Sequence, residues 1–121
     1  MTKDRLRVLD YLEHMLQAIR RISRYTQDMS GAEFLNNEMA QDALIRNIEV
    51  IGEAANNIRQ NYSEFALKHS HVPWDDVYLM RNRVGHGYFS VDLDIVWKTV
   101  QHDLPELERQ ATIDKKRIHA P

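Results

Sequence analysis

Apolar residues step along the first segment, residues 3–26, at Val8, Leu12, Met15, Ile19 and Ile22, in alternating strides of four and three. That stride keeps them on one face of an α-helix, while Asp4, Glu13 and Arg20 occupy other faces. Ser30 and Glu33 have the spacing of a capping box, which opens a new helix or helical turn. A second long helix is predicted over residues 37–62, where Leu44, Ile48, Ile51, Ala55 and Ile58 repeat the same stride. Gly52 sits inside it, at roughly 1 kcal/mol relative to alanine. Such a glycine either admits a neighbouring backbone or is a tolerated surface position, and the spacing does not separate the two.

Residues 63–72 lose the period and read as irregular. Val72 precedes a proline and is expected outside a helix, and Pro73 suits the first position of the next one. Asp75 and Asp76 follow where the positive helix end favours carboxylates. Trp74, Val77 and Val84 form its apolar stripe with Met80 beside it, and Gly85 is its expected stop. The last helix is predicted to begin near Ser90 or Asp92, to bury Leu93, Trp97, Val100, Leu104 and Leu107, and to kink at Pro105. From about Ile113 the tail, with Lys115, Lys116 and Arg117, reads as loosely ordered. Four amphipathic helices with short connections predict an all-α fold, an antiparallel four-helix-type bundle forming a single domain over residues 1–121.

Composition narrows the function. The absence of cysteine excludes a thiolate nucleophile, a disulfide framework and a cysteine-ligated zinc. No apolar run reaches membrane-spanning length and no charged-then-apolar leader opens the chain, so the expected location is the cytoplasm, with no membrane partner. A formal net charge of -2 is too acidic for a general nucleic-acid coat. Contact with nucleic acid would need a local basic cluster, or one assembled by two subunits.

The candidate chemistry lies in Arg81-Asn82-Arg83-Val84-Gly85-His86-Gly87-Tyr88. In an unbroken helix, five residues turn about 500°, so Arg81 and His86 would diverge by about 140°. Gly85 and Gly87 allow a loop that returns His86 to Arg81 and places Tyr88 on the same side. Arginine offers a planar, permanently charged fork for phosphate oxygens, and histidine moves protons near neutrality. RNA carries its own nucleophile, the 2′-hydroxyl, beside each phosphodiester. Arginine and histidine therefore suffice for metal-independent cleavage, and two copies of the chain would supply both a base and an acid. An ordinary cap or salt bridge at the helix end would use the same residues. His69 and His71 read as a surface loop rather than a metal site. Glu49 and Glu53 share a helical face and read as a solvated edge, with Glu53 also near enough to the motif to orient Arg81.

The Arg81, Asn82, His86 and Tyr88 pattern, with Trp74 and Phe89 beside it, resembles the signature of HEPN-domain proteins, in particular the HepT-like toxin family. The run from Arg46 to Ala55, RNIEVIGEAA, resembles the second-helix signature of that family. The likeness covers nearly the whole chain. Gly85 stands where many relatives carry a bulkier residue. The resemblance implies a helical bundle that homodimerises with its motifs facing each other, and an endoribonuclease toxin of a toxin–antitoxin pair that needs no cofactor and no metal. It implies Arg81 and His86 as the catalytic pair, supported by Asn82; Arg83, by the charge two subunits would pool, and Glu53, by its helical face, are expected to support the site as well. It also implies a nucleotidyltransferase antitoxin of the MNT family that transfers AMP to Tyr88. The alternative is a catalytically inactive nucleotide-binding or accessory subunit of a nucleotidyltransferase.

Overall fold

The computed structural model describes residues 3–85 and 92–119, with the backbone alone for residues 83–85 and 119. Among these residues there is no strand, and the fold is all-α. Helix α1 spans Lys3–Thr26, α2 Gly31–Leu35, α3 Glu38–Asn61, α4 Ser63–Lys68, α5 Trp74–Gly85, α6 Leu93–Lys98 and α7 Leu104–His119. A π turn, Thr99–Asp103, joins the last two into one continuous helical rod.

The starts of these helices follow from side-chain acceptors. Ser30 and Glu33 make the reciprocal capping box, with Glu33 N donating to Ser30 Oγ at 3.1 Å and Ser30 N donating to Glu33 Oε1 at 3.2 Å. Asn37 Oδ1 accepts from Ala40 N at 3.0 Å at the head of α3. Asp92 Oδ1 accepts from Asp94 N and Ile95 N at the head of α6. Each satisfies a backbone donor that the first turn leaves without a partner.

Three sets of cross-helix contacts give the directions. Tyr11 meets Tyr62 while Arg21 meets Asn47, so α1 and α3 run antiparallel. Arg59 lies near Asp75 while Gly52 lies against Arg81, so α3 and α5 do too. Arg5 reaches the Ile118 carbonyl and Arg20 lies near Glu108, which sets α7 antiparallel to α1. Helix α3 is therefore central, with Leu44, Ile48, Ile51, Ala55 and Ile58 fully enclosed. Leu12, Met15, Leu16, Ile19 and Ile22 of α1 pack on one side of it, and Trp74, Val77 and Met80 of α5 on the other. The short α2 inserts Phe34, which stacks on Trp97 with ring centres 5.1 Å apart.

Several expectations need correction. The irregular stretch contains helix α4, whose one turn and a half seats Phe65 and Ala66 against the core without burying any residue fully. Trp74, not Pro73, is the first helical residue. The Pro73 carbonyl accepts from Val77 N at 2.9 Å, so proline takes the cap position, where its missing N–H costs nothing. Pro105 follows a widened π turn. A proline cannot donate back to the preceding turn, and its ring crowds that turn's carbonyl. The tail is ordered: α7 continues to His119, with Ala111, Asp114 and Ile118 buried at strides of three and four. The helix α5 is described as far as Gly85, so its expected stop there, and the stripe position of Val84, lie outside the described residues.

Candidate functional site

The α3–α5 seam is built around a missing side chain. Gly52 is buried, and a Cβ placed on it would lie 2.8 Å from Arg81 Cβ and 3.5 Å from the Tyr78 carbonyl. A 2.8 Å approach to another Cβ does not occur between real side chains, so only glycine lets the two helices close here. The close-approach reading of this glycine therefore holds. The residue after it, Glu53, then stands where it forms an ion pair and hydrogen bond with Arg81 Nη1. Arg81 is 28% exposed and Glu53 53%. The guanidinium is thus held by packing on its stem and by a carboxylate at its tip, while still facing solvent.

Glu49 and Glu53 part company despite sharing a helical face. Glu49 lies 3.9 Å from Arg46 in a local i,i+3 pair, and Glu53 turns to α5. Asn82 does not join Arg81. One residue and about 100° on, it lines a different groove, about 870 Å³, between α5 on one side and the π turn and first turns of α7 on the other, beside His102 and Asp103. The Arg83 side chain, His86 and Tyr88 lie outside the described residues, as does Phe89. No group of three or more His, Asp or Glu among the described residues is arranged to hold a metal ion.

Residues 15–112 match the family described as Ribonuclease HepT-like. The chain belongs to this HepT-like family. It is 39% identical over 99 residues to a protein of Thermococcus cleftensis named "Probable ribonuclease HepT", covering 82% of this chain and 87% of that one. It is 38% identical over 100 residues to a "Putative RNase" of Caldanaerobacter subterraneus subsp. tengcongensis, covering 83% of this chain and 87% of that one. A third relative, from Methanocaldococcus jannaschii, is named "Gamma-glutamylcyclotransferase and putative RNase". It is 40% identical over 100 residues, 83% of this chain, which spans only 44% of that longer protein. No solved structure gives a significant match.

Other polar residues of this HepT-like chain escaped the sequence reading. Asn47, inside the second-helix signature, is buried. It accepts from Arg21 Nε at 2.8 Å and donates to the Ala43 carbonyl at 2.8 Å, tying α3 to α1. His71 is no free loop residue. Its Nε2 lies 2.7 Å from Oδ1 of Asp114, which is fully buried on α7. Burial pushes the Asp114 carboxyl above its ordinary value, and the nearby His71, His69 and Arg117 only partly oppose that. On α1, the hydrogen bond from Lys115 holds the Glu13 carboxyl below its ordinary value. Both carboxylates serve to fasten α7. Neither is near Arg81 in the fold.

Two further residues do adjoin the site. Tyr78, one turn before Arg81, has the guanidinium carbon of Arg81 at 5.8 Å from its ring centre and that of Arg59 at 5.0 Å. Nothing in the spacing of Arg59 within α3 singles it out. The only signal was that Tyr78 shares the Arg81 edge of α5, three residues away.

Proposed function

We propose that this chain is a metal-independent endoribonuclease toxin that works as a homodimer. Arg81 clamps the scissile phosphate, and His86 takes and returns protons. The observation that carries this reading is the solvent-facing Arg81 guanidinium, held at a glycine-closed helix seam by Glu53, four residues before the end of the described α5. A HepT-like family membership and relatives named as ribonucleases give the reading its substrate class.

The chemistry runs as follows. One imidazole removes the proton of a ribose 2′-hydroxyl, and the oxygen attacks the adjacent phosphorus. The bond to the 5′-oxygen breaks, and the second subunit's imidazole supplies the proton that this leaving oxygen takes. The products are a 2′,3′-cyclic phosphate and a 5′-hydroxyl. Negative charge grows on the phosphoryl oxygens during attack, where a pre-oriented guanidinium stabilises it. Two subunits are needed because one imidazole cannot be base and acid in the same step. RNA supplies the nucleophile, so no metal-bound water is required, and DNA is not a substrate. Asn82 and Arg83 support the site, Asn82 through the α5 backbone rather than by contact with Arg81, since its side chain lines the groove by the π turn.

Control comes from a nucleotidyltransferase antitoxin of the MNT family. The Tyr88 phenol oxygen attacks the α-phosphorus of ATP, pyrophosphate leaves, and AMP remains on the phenol. That adduct places an anion where the RNA phosphate would meet Arg81.

The decisive experiment incubates purified, unmodified protein with RNA in the presence of EDTA. The expected result is cleavage leaving 2′,3′-cyclic phosphate ends, lost in His86→Ala. Intact RNA, together with unimpaired bacterial growth when the chain is expressed without its partner, would overturn the reading and favour the inactive accessory subunit.

A further inference from the structure

The two guanidiniums around Tyr78 are not equivalent. Arg81 belongs to the site already described. Arg59, on α3 two turns beyond Gly52, has no part in it. Its side chain is 33% exposed, and its Nη2 donates to Asn56 Oδ1 at 2.9 Å. Its Nε is enclosed and makes no hydrogen bond among the described residues. The nearest carboxylate, Asp75, stands 3.5 Å from that Nε and is itself 78% exposed. Asp75, Tyr78 and Arg81 lie three residues apart along one edge of α5. The seam therefore presents cation, aromatic ring, cation in order, each cation offset by one exposed carboxylate. Beyond Arg59 the surface opens into a groove of about 520 Å³, lined by Ser63, Ala66, Leu67, Ser70, Pro73 and, on its acidic side, Asp75 and Asp76.

We propose that Arg59 is a second phosphate clamp, which carries the RNA strand along the α3–α5 seam away from Arg81, with the adjoining groove taking the base beyond it. This rests on the reading of Arg81 as the clamp at the scissile phosphate. Three features fit a single-stranded path. Cations with an interleaved aromatic ring are how proteins follow an unpaired strand, and here each cation is offset by an exposed carboxylate that the strand must displace. The Tyr78 ring holds both guanidiniums by cation–π attraction, so less freedom is lost when phosphates arrive. Exposed ion pairs contribute little, so a phosphodiester can displace Asp75 from Arg59 at small cost. The groove adds an apolar wall with two hydroxyls, suited to a base whose edge needs hydrogen bonds.

The test measures binding of a fluorescein-labelled single-stranded RNA oligonucleotide to protein carrying His86→Ala, so that nothing is cleaved, across a series of salt concentrations. Adding Arg59→Ala should weaken binding about tenfold. It should also lower the slope of log affinity against log salt by about 0.7, the signature of one lost phosphate contact on a single strand. Arg59→Lys should retain the slope, and Asp75→Asn should tighten binding two- to threefold, roughly. An unchanged slope in Arg59→Ala, while Arg81→Ala lowers it, overturns the Arg59 clamp and leaves the Arg81 reading standing. No RNA binding by the His86→Ala protein overturns both. A changed association state in Arg59→Ala on sedimentation, with the salt slope intact, assigns the residue to a contact between copies and overturns the clamp.

Discussion

The α3–α5 seam and the attachment of α7 use the same chemistry, a carboxylate set against a cation, for opposite ends. At the seam, Glu53 and Arg81 meet in the open, and Asp75 faces Arg59 more openly still. At the α7 attachment, Asp114 is sealed from water beneath His71, and Lys115 reaches Glu13 across two half-buried stems. Burial sets one carboxylate apart: Asp114 is fully enclosed, whereas Lys115 and Glu13, at 33% and 32% exposed, are as open as the cations of the seam. An open pair is nearly neutral for stability, and its cation remains available to another anion. A sealed carboxylate such as Asp114 is beyond the reach of another ion. A site that must bind phosphate can be built only from the first kind.

The comparison can be broken most severely at Arg81. Replacing it with alanine should reduce RNA cleavage about 10²- to 10³-fold, the usual effect of losing one stabiliser of transition-state charge. The same change should move unfolding stability by no more than about 1 kcal/mol. Cleavage rates and urea midpoints measured together test both halves. A large stability loss would mean that the seam pair holds the fold after all.

Gly52→Val attacks the seam from the other helix. Its side chain would have to enter the space held by Arg81 Cβ, so α3 and α5 must part. Overpacking of this kind should lower stability by about 1–3 kcal/mol in urea denaturation, and cleavage should fall with it. Wild-type stability in this variant would show that the seam is not closed by the glycine.

The α7 attachment is sharpened by pH. Asp114 has its carboxyl raised by burial, so its stabilising contribution is full below the ordinary value of 3.8 and is lost as pH rises through the raised value. Asp114→Asn should therefore gain stability relative to the parent between acid and neutral pH. Glu13 is held low by Lys115, so its contribution is present above the ordinary value of 4.5 and is lost as pH falls. Glu13→Gln should cost stability at neutral pH, and the cost should shrink in acid. Thermal unfolding of the two variants across pH should give slopes of opposite sign. Parallel slopes would refute the difference in burial.

The long helices were legible because a stride of three and four survives any amount of surface variation. The cap of α2 was legible because Ser30 and Glu33 must be that far apart to serve each other. Helix α4 was not, since a turn and a half is too short to show a period. The order of the tail was hidden by Lys115, Lys116 and Arg117, whose charges draw the eye from Ala111, Asp114 and Ile118 on the inward face. Burying an aspartate there also contradicts the rule that inward positions are apolar. At the site, Arg81 and Glu53 could be read from the motif and the helical face. Arg59 and Tyr78 could not, because their meeting depends on how close Gly52 lets two helices come.

The π turn before Pro105 gives the last rod a surplus in its phase. Inward positions run Val96, Val100, Leu104, and two successive strides of four would rotate a regular helix about 80° off its face. The wide turn absorbs that rotation, so the stripe of α6, packed on α2, α3 and α5, continues into the stripe of α7, packed on α1. Shortening is therefore the forgiving direction: loss of the exposed Gln101 would leave an ordinary helix with both stripes aligned, whereas one added residue would swing Asp114 out from under His71.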